Sequence, residues 1–259
     1  MTFRDTPWPD GTPCWVDLMV PDAAKAQAFY GELLGWEFAD AGDADNPYLL
    51  ATLDGRQVAG LGQNGTNPDL PPVWTSYIAV SDIDAVAGTI ERAGGKVILP
   101  PMAIPPAGTM AVFADPTGAV FGCWQAGEHH GVEVANVPGA WTWGEVMTRD
   151  YDTAKAFYTE VFGYQLEDMS DHQVSYSTLA VNGEVVGGLG GLAPGMPAGV
   201  PSHWRVYFAV SDTDAALQRI TELGGSVQGA PFDSPYGRLA PVTDDQGVPF
   251  LVISTSQQS

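Results

Sequence analysis

The chain contains the same segment twice. Residues 22–36 read DAAKAQAFYGELLGW and residues 150–164 read DYDTAKAFYTEVFGY, so an Asp, an FY pair, a Glu and a Gly recur 128 positions apart. Further along, VWTSYIAVSDIDA (73–85) is matched by HWRVYFAVSDTDA (203–215) at a spacing of 130. Self-similarity at one long, nearly constant spacing is typical of two copies of a whole domain and not of a short-repeat solenoid.

The repeat also sets the domain organisation. A chain of 259 residues can form two domains of about 130 residues each. We predict a first domain over residues 8–126, a linker over residues 127–139 and a second domain over residues 140–255.

The order of elements predicts two βαβββ modules in each copy. WVDLMV (15–20) alternates as a strand does, and Asp22 is predicted to cap a helix that Gly35 ends. Asp54-Gly55 and Asn182-Gly183 lie between strand-like runs and predict tight hairpins. A helix followed by a meander gives an α+β fold, here of four modules with their helices on one side of curved sheets. The Pro-rich segment 100–108 is interpreted as a loop before the last hairpin of the first copy.

The charge balance excludes some partners. The chain has 10 basic and 31 acidic residues and a net charge of −21, which repels nucleic acid and anionic lipid and attracts cations, although solubility alone also explains it. We find no apolar run of the roughly 18 residues that a membrane span needs and no apolar leader at the N-terminus. Cys14 and Cys123 are too few for a disulfide framework. We expect a cytoplasmic protein with reduced thiols.

Three motifs resemble the vicinal oxygen chelate superfamily, which includes glyoxalase I, extradiol dioxygenases and bleomycin-resistance proteins. They are D…FY…LG (22–35), AVSD…GG (79–95) and DPTG…F (115–121). The resemblance implies two tandem glyoxalase/bleomycin-resistance-like domains, each enclosing a cleft between paired modules. In metal-dependent members of the family, His and Glu ligands lie on the first and last strands of the modules.

The positions that the resemblance assigns to metal ligands carry unsuitable side chains. They fall on Trp15, Thr75 and Gly122 in the first copy and on Trp143, Arg205 and Leu251 in the second. None of these side chains is a usual protein ligand for a divalent cation. We therefore expect no metal and no cofactor.

Strand alternation predicts which side chains face each cleft. Residues two apart on a strand share a face, so Val16, Leu18 and Val20 should cover the helix. The cleft-facing set is then Trp15, Asp17, Met19, Tyr77 and Trp124 in the first copy, and Trp143, Glu145, Met147, Arg205 and Tyr207 in the second. Aromatic walls around an acid suit a flat or partly cationic ligand. The alternative is that the aromatic rings fill the clefts as core.

The histidines offer little for chelation. Glu128, His129 and His130 are adjacent in the linker, where neighbouring side chains point apart. His203 shares a strand face with Arg205, and a two-residue register slip would bring His203 together with Glu145 as a partial metal site.

These features favour a metal-independent protein of the bleomycin-resistance kind, which holds an aromatic or cationic metabolite or antibiotic. The alternative is an enzyme, a glyoxalase-like lyase or isomerase or a hydroxylase, in which Glu145 or Asp17 is the general base and Arg205 stabilises an oxyanion or enolate. A third hypothesis is a protein with degenerate clefts that serves assembly. The two copies should pack as an internal pseudo-dimer, and a homodimer is left open.

Overall fold

The computed structural model describes residues 2–42, 47–63, 72–172, 174–193, 195–197 and 199–255. These residues form four successive modules of the predicted βαβββ type, joined in pairs into two sheets with four helices. The predicted α+β class, two tandem domains of two modules each, is confirmed. The exact domain limits stay a prediction.

The elements of the first half follow the predicted order. The short strand β1 (Thr2–Phe3) precedes the first module, which contains β2 (Pro13–Val20), α1 (Ala23–Leu34), β3 (Glu37–Asp40), β4 (Tyr48–Leu53) and β5 (Arg56–Gln63). The second module contains β6 (Trp74–Ala79), α2 (Ile83–Arg92), β7 (Lys96–Ile104), β8 (Gly108–Ala114) and β9 (Val120–Ala126).

The second half repeats this order after the linker strand β10 (Val134–Ala135), which pairs with β1. The third module contains β11 (Trp141–Thr148), α3 (Tyr151–Phe162), β12 (Gln165–Asp168), β13 (Tyr176–Val181) and β14 (Glu184–Gly191). The fourth contains β15 (His203–Ala209), α4 (Thr213–Glu222), β16 (Ser226–Val227), β17 (Phe232–Ser234), β18 (Gly237–Thr243) and β19 (Pro249–Ser254).

Each pair of modules shares one continuous sheet. The strand order is β3-β4-β5-β2-β6-β9-β8-β7 in the first sheet and β12-β13-β14-β11-β15-β19-β18-β16 in the second, with β17 also paired to β18. The two modules of a sheet meet where their opening strands pair antiparallel, β2 with β6 and β11 with β15. The opening strands are therefore the centre of each sheet, and their side chains form the middle of each cleft.

Local signals in the sequence define the ends of the elements. Asp22 accepts a hydrogen bond from the Lys25 N–H (3.0 Å), and Gly35 ends α1 with φ 75° in the left-handed region. Asp54 and Asn182 have positive φ at the two predicted hairpins, each followed by a glycine that also has positive φ. Both hairpins are confirmed by the strand pairing on either side of them.

The helices pack between the two sheets. In α1, Phe29 and Tyr30 contact Phe250 of β19, and in α3 Tyr158 contacts Phe121 of β9. The helix of one copy thus covers the sheet of the other as well as its own. Since the helix-facing sides of both sheets are covered in this way, the opposite sides face away from the interface, and we call them the first cleft and the second cleft.

The prediction of a loop over residues 100–108 is wrong in part. β7 continues through Pro100 and Pro101 to Ile104 and pairs with β8 as far as Ile104–Gly108. Proline lacks the N–H that an inner strand needs, but β7 lies at the edge of the first sheet and its pairing is interrupted by register shifts. An edge strand tolerates these prolines because the backbone N–H groups on its outer side have no neighbouring strand to pair with.

Candidate functional site

The central strands place an acid on each cleft floor. On β2, Val16, Leu18 and Val20 are fully buried on the helix side, while Asp17 lies on the cleft side. Glu145 has the equivalent position on β11. The predicted alternation of these strands is therefore what the structure shows.

In the first cleft the acid accepts hydrogen bonds from two tyrosines. Asp17 Oδ2 lies 3.1 Å from the Tyr77 hydroxyl and 3.4 Å from the Tyr48 hydroxyl. The Trp15 indole N–H donates to the Tyr48 oxygen at 3.2 Å. Asp17 Oδ1 is buried and has no hydrogen-bond partner. Burial raises the pKa of Asp17 to about 7, against the opposing effect of the two tyrosine hydrogen bonds.

The second cleft repeats this arrangement with a longer acid. Glu145 Oε1 accepts from the Tyr207 hydroxyl at 2.6 Å, and Oε2 accepts from the Tyr176 hydroxyl at 2.9 Å. Trp143 hydrogen-bonds to Tyr176 and opposes the rise in the pKa of that tyrosine, which burial and the Glu145 charge cause. Each cleft therefore contains the same tetrad of one Trp, one acid and two Tyr.

One tyrosine of each tetrad was not predicted from the sequence. Tyr48 and Tyr176 open β4 and β13, two strands away from the acids, and strand alternation alone does not place them near the centre of the sheet. The signal that could have found them is the repeat, because they are 128 positions apart, as are Asp17 and Glu145.

Glycines make room for the tetrads. A Cβ on Gly60 would collide with the Tyr48 hydroxyl, and one on Gly188 would collide with the Tyr176 hydroxyl. The Tyr rings therefore lie across the glycine-rich strands β5 and β14, which explains the small residues in QVAGLG and EVVGGLG.

A basic residue distinguishes the two clefts. Arg205 lies directly across from Glu145 in the β11–β15 pair, and its Nη1 is 3.6 Å from Glu145 Oε1. Thr75 has the equivalent position across from Asp17. The acid of the second cleft thus has a positive partner, whereas the first cleft offers Asp17 no cation at this position.

The remaining predicted residues also differ between the clefts. Trp15, Tyr77 and Trp124 are 3–6% exposed, so in the first cleft the aromatic residues form a closed floor, as the core alternative expected. Trp143 and Arg205 are partly exposed in the second cleft, where Tyr207 packs with Leu239, Leu251 and Ile253. Met19 is 40% exposed and Met147 only 8%.

The linker contributes His129 to the first cleft, a residue that was not predicted there from the sequence. The His129 ring lies against Trp15 and Trp124, with ring centroids 4.3 and 5.4 Å apart, and the Trp124 indole donates to the His129 carbonyl at 2.9 Å. Both ring nitrogens of His129 are buried without a hydrogen-bond partner. Burial lowers the pKa of His129 to about 4, with a smaller contribution from the charge of His130.

The donor set does not fit the metal that the fold family implies. The second cleft carries the Arg205 guanidinium beside the Glu145 carboxylate, so a divalent cation bound to Glu145 would meet a positive charge. His203 lies across from Met147, and its Nδ1 is 2.9 Å from the Pro201 carbonyl oxygen. The register slip that would join His203 to Glu145 is absent, because Glu145 pairs with Arg205. Among the described residues no cluster of three His, Cys, Asp or Glu side chains could hold a metal ion.

Cys14 and Cys123 are buried and form no disulfide. Among the helices that the structure describes, none is both long and apolar enough to cross a bilayer.

The comparisons with known proteins agree with this architecture. The family model of the glyoxalase/bleomycin resistance protein/dioxygenase superfamily matches residues 14–123 and again residues 142–252. The chain belongs to this superfamily, and the resemblance drawn from its motifs is confirmed.

Its relatives include proteins of similar length. One relative is CFP32 of Mycobacterium tuberculosis (strain CDC 1551 / Oshkosh), which is named as a candidate glyoxylase. It is 40% identical over 259 residues, with 96% of each chain covered. The anthracycline biosynthesis protein DauV of Streptomyces sp. (strain C5) is 37% identical over 257 residues, covering 94% of this chain and 93% of its own.

Solved structures share the fold at lower identity. The Mn(II)-bound glyoxalase of Novosphingobium aromaticivorans is 20% identical with a TM-score of 0.64, covering 95% of this chain and 82% of its own. The 2,2',3-trihydroxybiphenyl 1,2-dioxygenase of Sphingomonas wittichii RW1 is 16% identical with a TM-score of 0.64, covering 95% and 91%. At these identities the likeness concerns the fold alone.

Proposed function

We propose that the second cleft binds a flat, oxygen-bearing aromatic molecule without a metal ion. The observation that carries this proposal is the Arg205–Glu145 pair, which lies at the centre of a partly exposed cleft. Arg205 occupies one of the positions that the family resemblance assigns to a metal ligand. A guanidinium can donate to a carbonyl, phenolate or enolate oxygen of a ligand, and a carboxylate can accept from its hydroxyl groups.

The surrounding side chains support a planar ring system. Trp143 and Tyr176 line one part of the cleft and hydrogen-bond to one another, while Leu239, Leu251 and Ile253 form an apolar base with Tyr207. Pockets that join apolar walls to a few polar groups are typical of small-molecule sites. Two relatives, DauV and DnrV, are named anthracycline biosynthesis proteins, which supports a polycyclic aromatic polyketide as the ligand class.

Binding can be measured by quenching of tryptophan fluorescence with an anthracycline and its sugar-free aglycone. Arg205→Thr introduces the residue of the first copy and should weaken binding roughly tenfold or more, since a hydrogen bond to a charged group contributes about 1.5–3 kcal/mol. Thr75→Val is the matched control in the first cleft and should leave the affinity unchanged. Equal affinities of Arg205→Thr and the unaltered protein would contradict the proposal.

A second candidate function is proton transfer at the same site. It is favoured by the Arg205 guanidinium, whose Nη1 lies 3.6 Å from Glu145 Oε1, because a carboxylate base next to a guanidinium can remove a proton α to a carbonyl while the guanidinium stabilises the enolate oxygen. NMR separates catalysis from binding. In D₂O it detects whether that proton of a bound ketone-bearing aglycone exchanges for deuterium. Exchange lost in Glu145→Gln supports an enzyme, and saturated binding without exchange supports a binding protein.

A further inference from the structure

We propose that the first cleft is a separate site for a small planar aromatic cation, with Asp17 as its counter-ion, and that the linker residue His129 occupies the site in its absence. This inference goes beyond the proposed function, because it concerns the first cleft and a ligand recognised by its positive charge. Four observations lead to it.

The first observation is the unpaired acid. Asp17 is 7% exposed, and its Oδ1 has no hydrogen-bond partner although Oδ2 accepts from Tyr77 and Tyr48. A buried acceptor without a donor is rare and costly, and it is a position where a ligand with a charged donor gains most. The equivalent acid, Glu145, receives its positive partner from Arg205.

The second observation is the missing base. Thr75 replaces the arginine at the position across from the acid, so above about pH 7, where Asp17 is ionised, the first cleft supplies an uncompensated negative charge and the second cleft supplies an ion pair. The chain as a whole carries a net charge of −21, which also raises the local concentration of cations. A cationic ligand completes the first cleft in the way that Arg205 completes the second.

The third observation is that an aromatic ring already occupies part of this cleft. The imidazole of His129 lies edge-on to Trp15 (83° between ring planes) and inclined to Trp124 (64°). The Trp15 indole donates to the Tyr48 hydroxyl, and that hydroxyl donates to Asp17. The tryptophan that His129 contacts is therefore linked to the acid by two hydrogen bonds. Aromatic faces attract planar cations as well as neutral rings.

The fourth observation is that His129 fills this place poorly. Neither of its ring nitrogens has a hydrogen-bond partner, and its burial favours the neutral form. The ring therefore gains contact area without using either polar atom. A ligand that combines a flat ring with a cationic N–H donor makes the same ring contacts and also pairs Asp17, so it should displace His129 by rotation of that side chain.

Benzamidine is a suitable probe because benzamide and benzoate have nearly the same shape and differ in charge. We expect the unaltered protein at pH 8 to bind benzamidine at least tenfold more tightly than either analogue, with shifts of the Trp15 and Trp124 indole N–H signals by NMR. His129→Ala should tighten benzamidine binding at least threefold, because the competing ring is gone.

Two variants test the role of the acid. Asp17→Asn removes the counter-ion, and Thr75→Arg keeps Asp17 but gives it an internal cation, so each should weaken benzamidine binding at least tenfold. Glu145→Gln alters the second cleft and should change it less than twofold. The inference is overturned if benzamide binds as tightly as benzamidine, if Glu145→Gln abolishes binding while Asp17→Asn does not, or if neither the unaltered protein nor His129→Ala binds benzamidine. The proposal for the second cleft is decided separately, by anthracycline binding to the unaltered protein and to Arg205→Thr.

Discussion

Replacement of Asp17 by Asn should make the stability of the protein less sensitive to pH. In the folded state the pKa of Asp17 is raised from 3.8 to about 7, and the first cause is burial. A raised pKa means that the folded state keeps this proton at pH values where the unfolded chain has lost it. The stabilising contribution is therefore fully present below pH 3.8 and is lost as the pH rises to about 7.

The magnitude follows from the two pKa values. Between pH 5 and pH 8 the contribution of Asp17 to the free energy of unfolding should fall by about 3 kcal/mol, since each pKa unit corresponds to about 1.4 kcal/mol. Asn does not titrate, so the difference in unfolding free energy between Asp17→Asn and the unaltered protein should move in favour of the variant by that amount. Any fixed cost of the unpaired Asn amide, about 1–3 kcal/mol, is the same at both pH values and cancels.

Reversible urea unfolding at pH 5, 6, 7 and 8 measures this difference. Glu145→Gln is the matched control in the second cleft. It should destabilise the protein at pH 8, because it leaves the partly buried Arg205 guanidinium without its carboxylate. A difference between Asp17→Asn and the unaltered protein that is constant from pH 5 to pH 8 would refute the reasoning about the buried acid.

Two other predictions concern packing. Tyr30→Phe should lower the free energy of unfolding by about 2 kcal/mol in urea titrations, because the Tyr30 hydroxyl donates to Asp244 (3.0 Å) and accepts from the Trp74 indole (3.1 Å), and the change leaves both buried groups short of a partner. A loss below about 0.5 kcal/mol would contradict this role. Gly188→Ala should displace Tyr176 from the second cleft and weaken binding of the anthracycline severalfold, while thermal unfolding shows the protein still folded. Unchanged binding would show that Tyr176 is not part of the site.

Much of the fold could be predicted because its signals are local. Only a few neighbouring residues determine the Asp22 cap, the positive-φ hairpins and the alternation of β2. Because the sequence is repeated, each of these signals also occurs twice. The contact between Tyr30 and Asp244 could not be predicted in the same way. It joins residues 214 positions apart across the two copies, and no local pattern identifies the partner of a buried hydroxyl.

The candidate site was predictable only on the central strands. Trp15, Asp17 and Glu145 follow from strand period two, but Tyr48 reaches Asp17 across a glycine strand, and that reach depends on the absence of a side chain at Gly60. His129 follows no strand pattern at all. Adjacent linker residues point apart, and no local pattern identifies His129 as the one whose ring contacts Trp15 and Trp124.

The clefts share a tetrad but differ in charge and in how their acids are paired, because both the residue across the strand pair and the length of the acid differ. Glu145 has one more methylene than Asp17, and its carboxylate lies 2.6 and 2.9 Å from its two tyrosine hydroxyls, against 3.1 and 3.4 Å for Asp17. The longer side chain gives each tyrosine its own oxygen and extends Oε1 toward Arg205. The shorter one presents a single oxygen to both tyrosines and leaves the other unpaired. Acid length and the residue across the strand pair therefore act together: Glu with Arg makes a closed ion pair, and Asp with Thr leaves an acceptor that only a further group can satisfy.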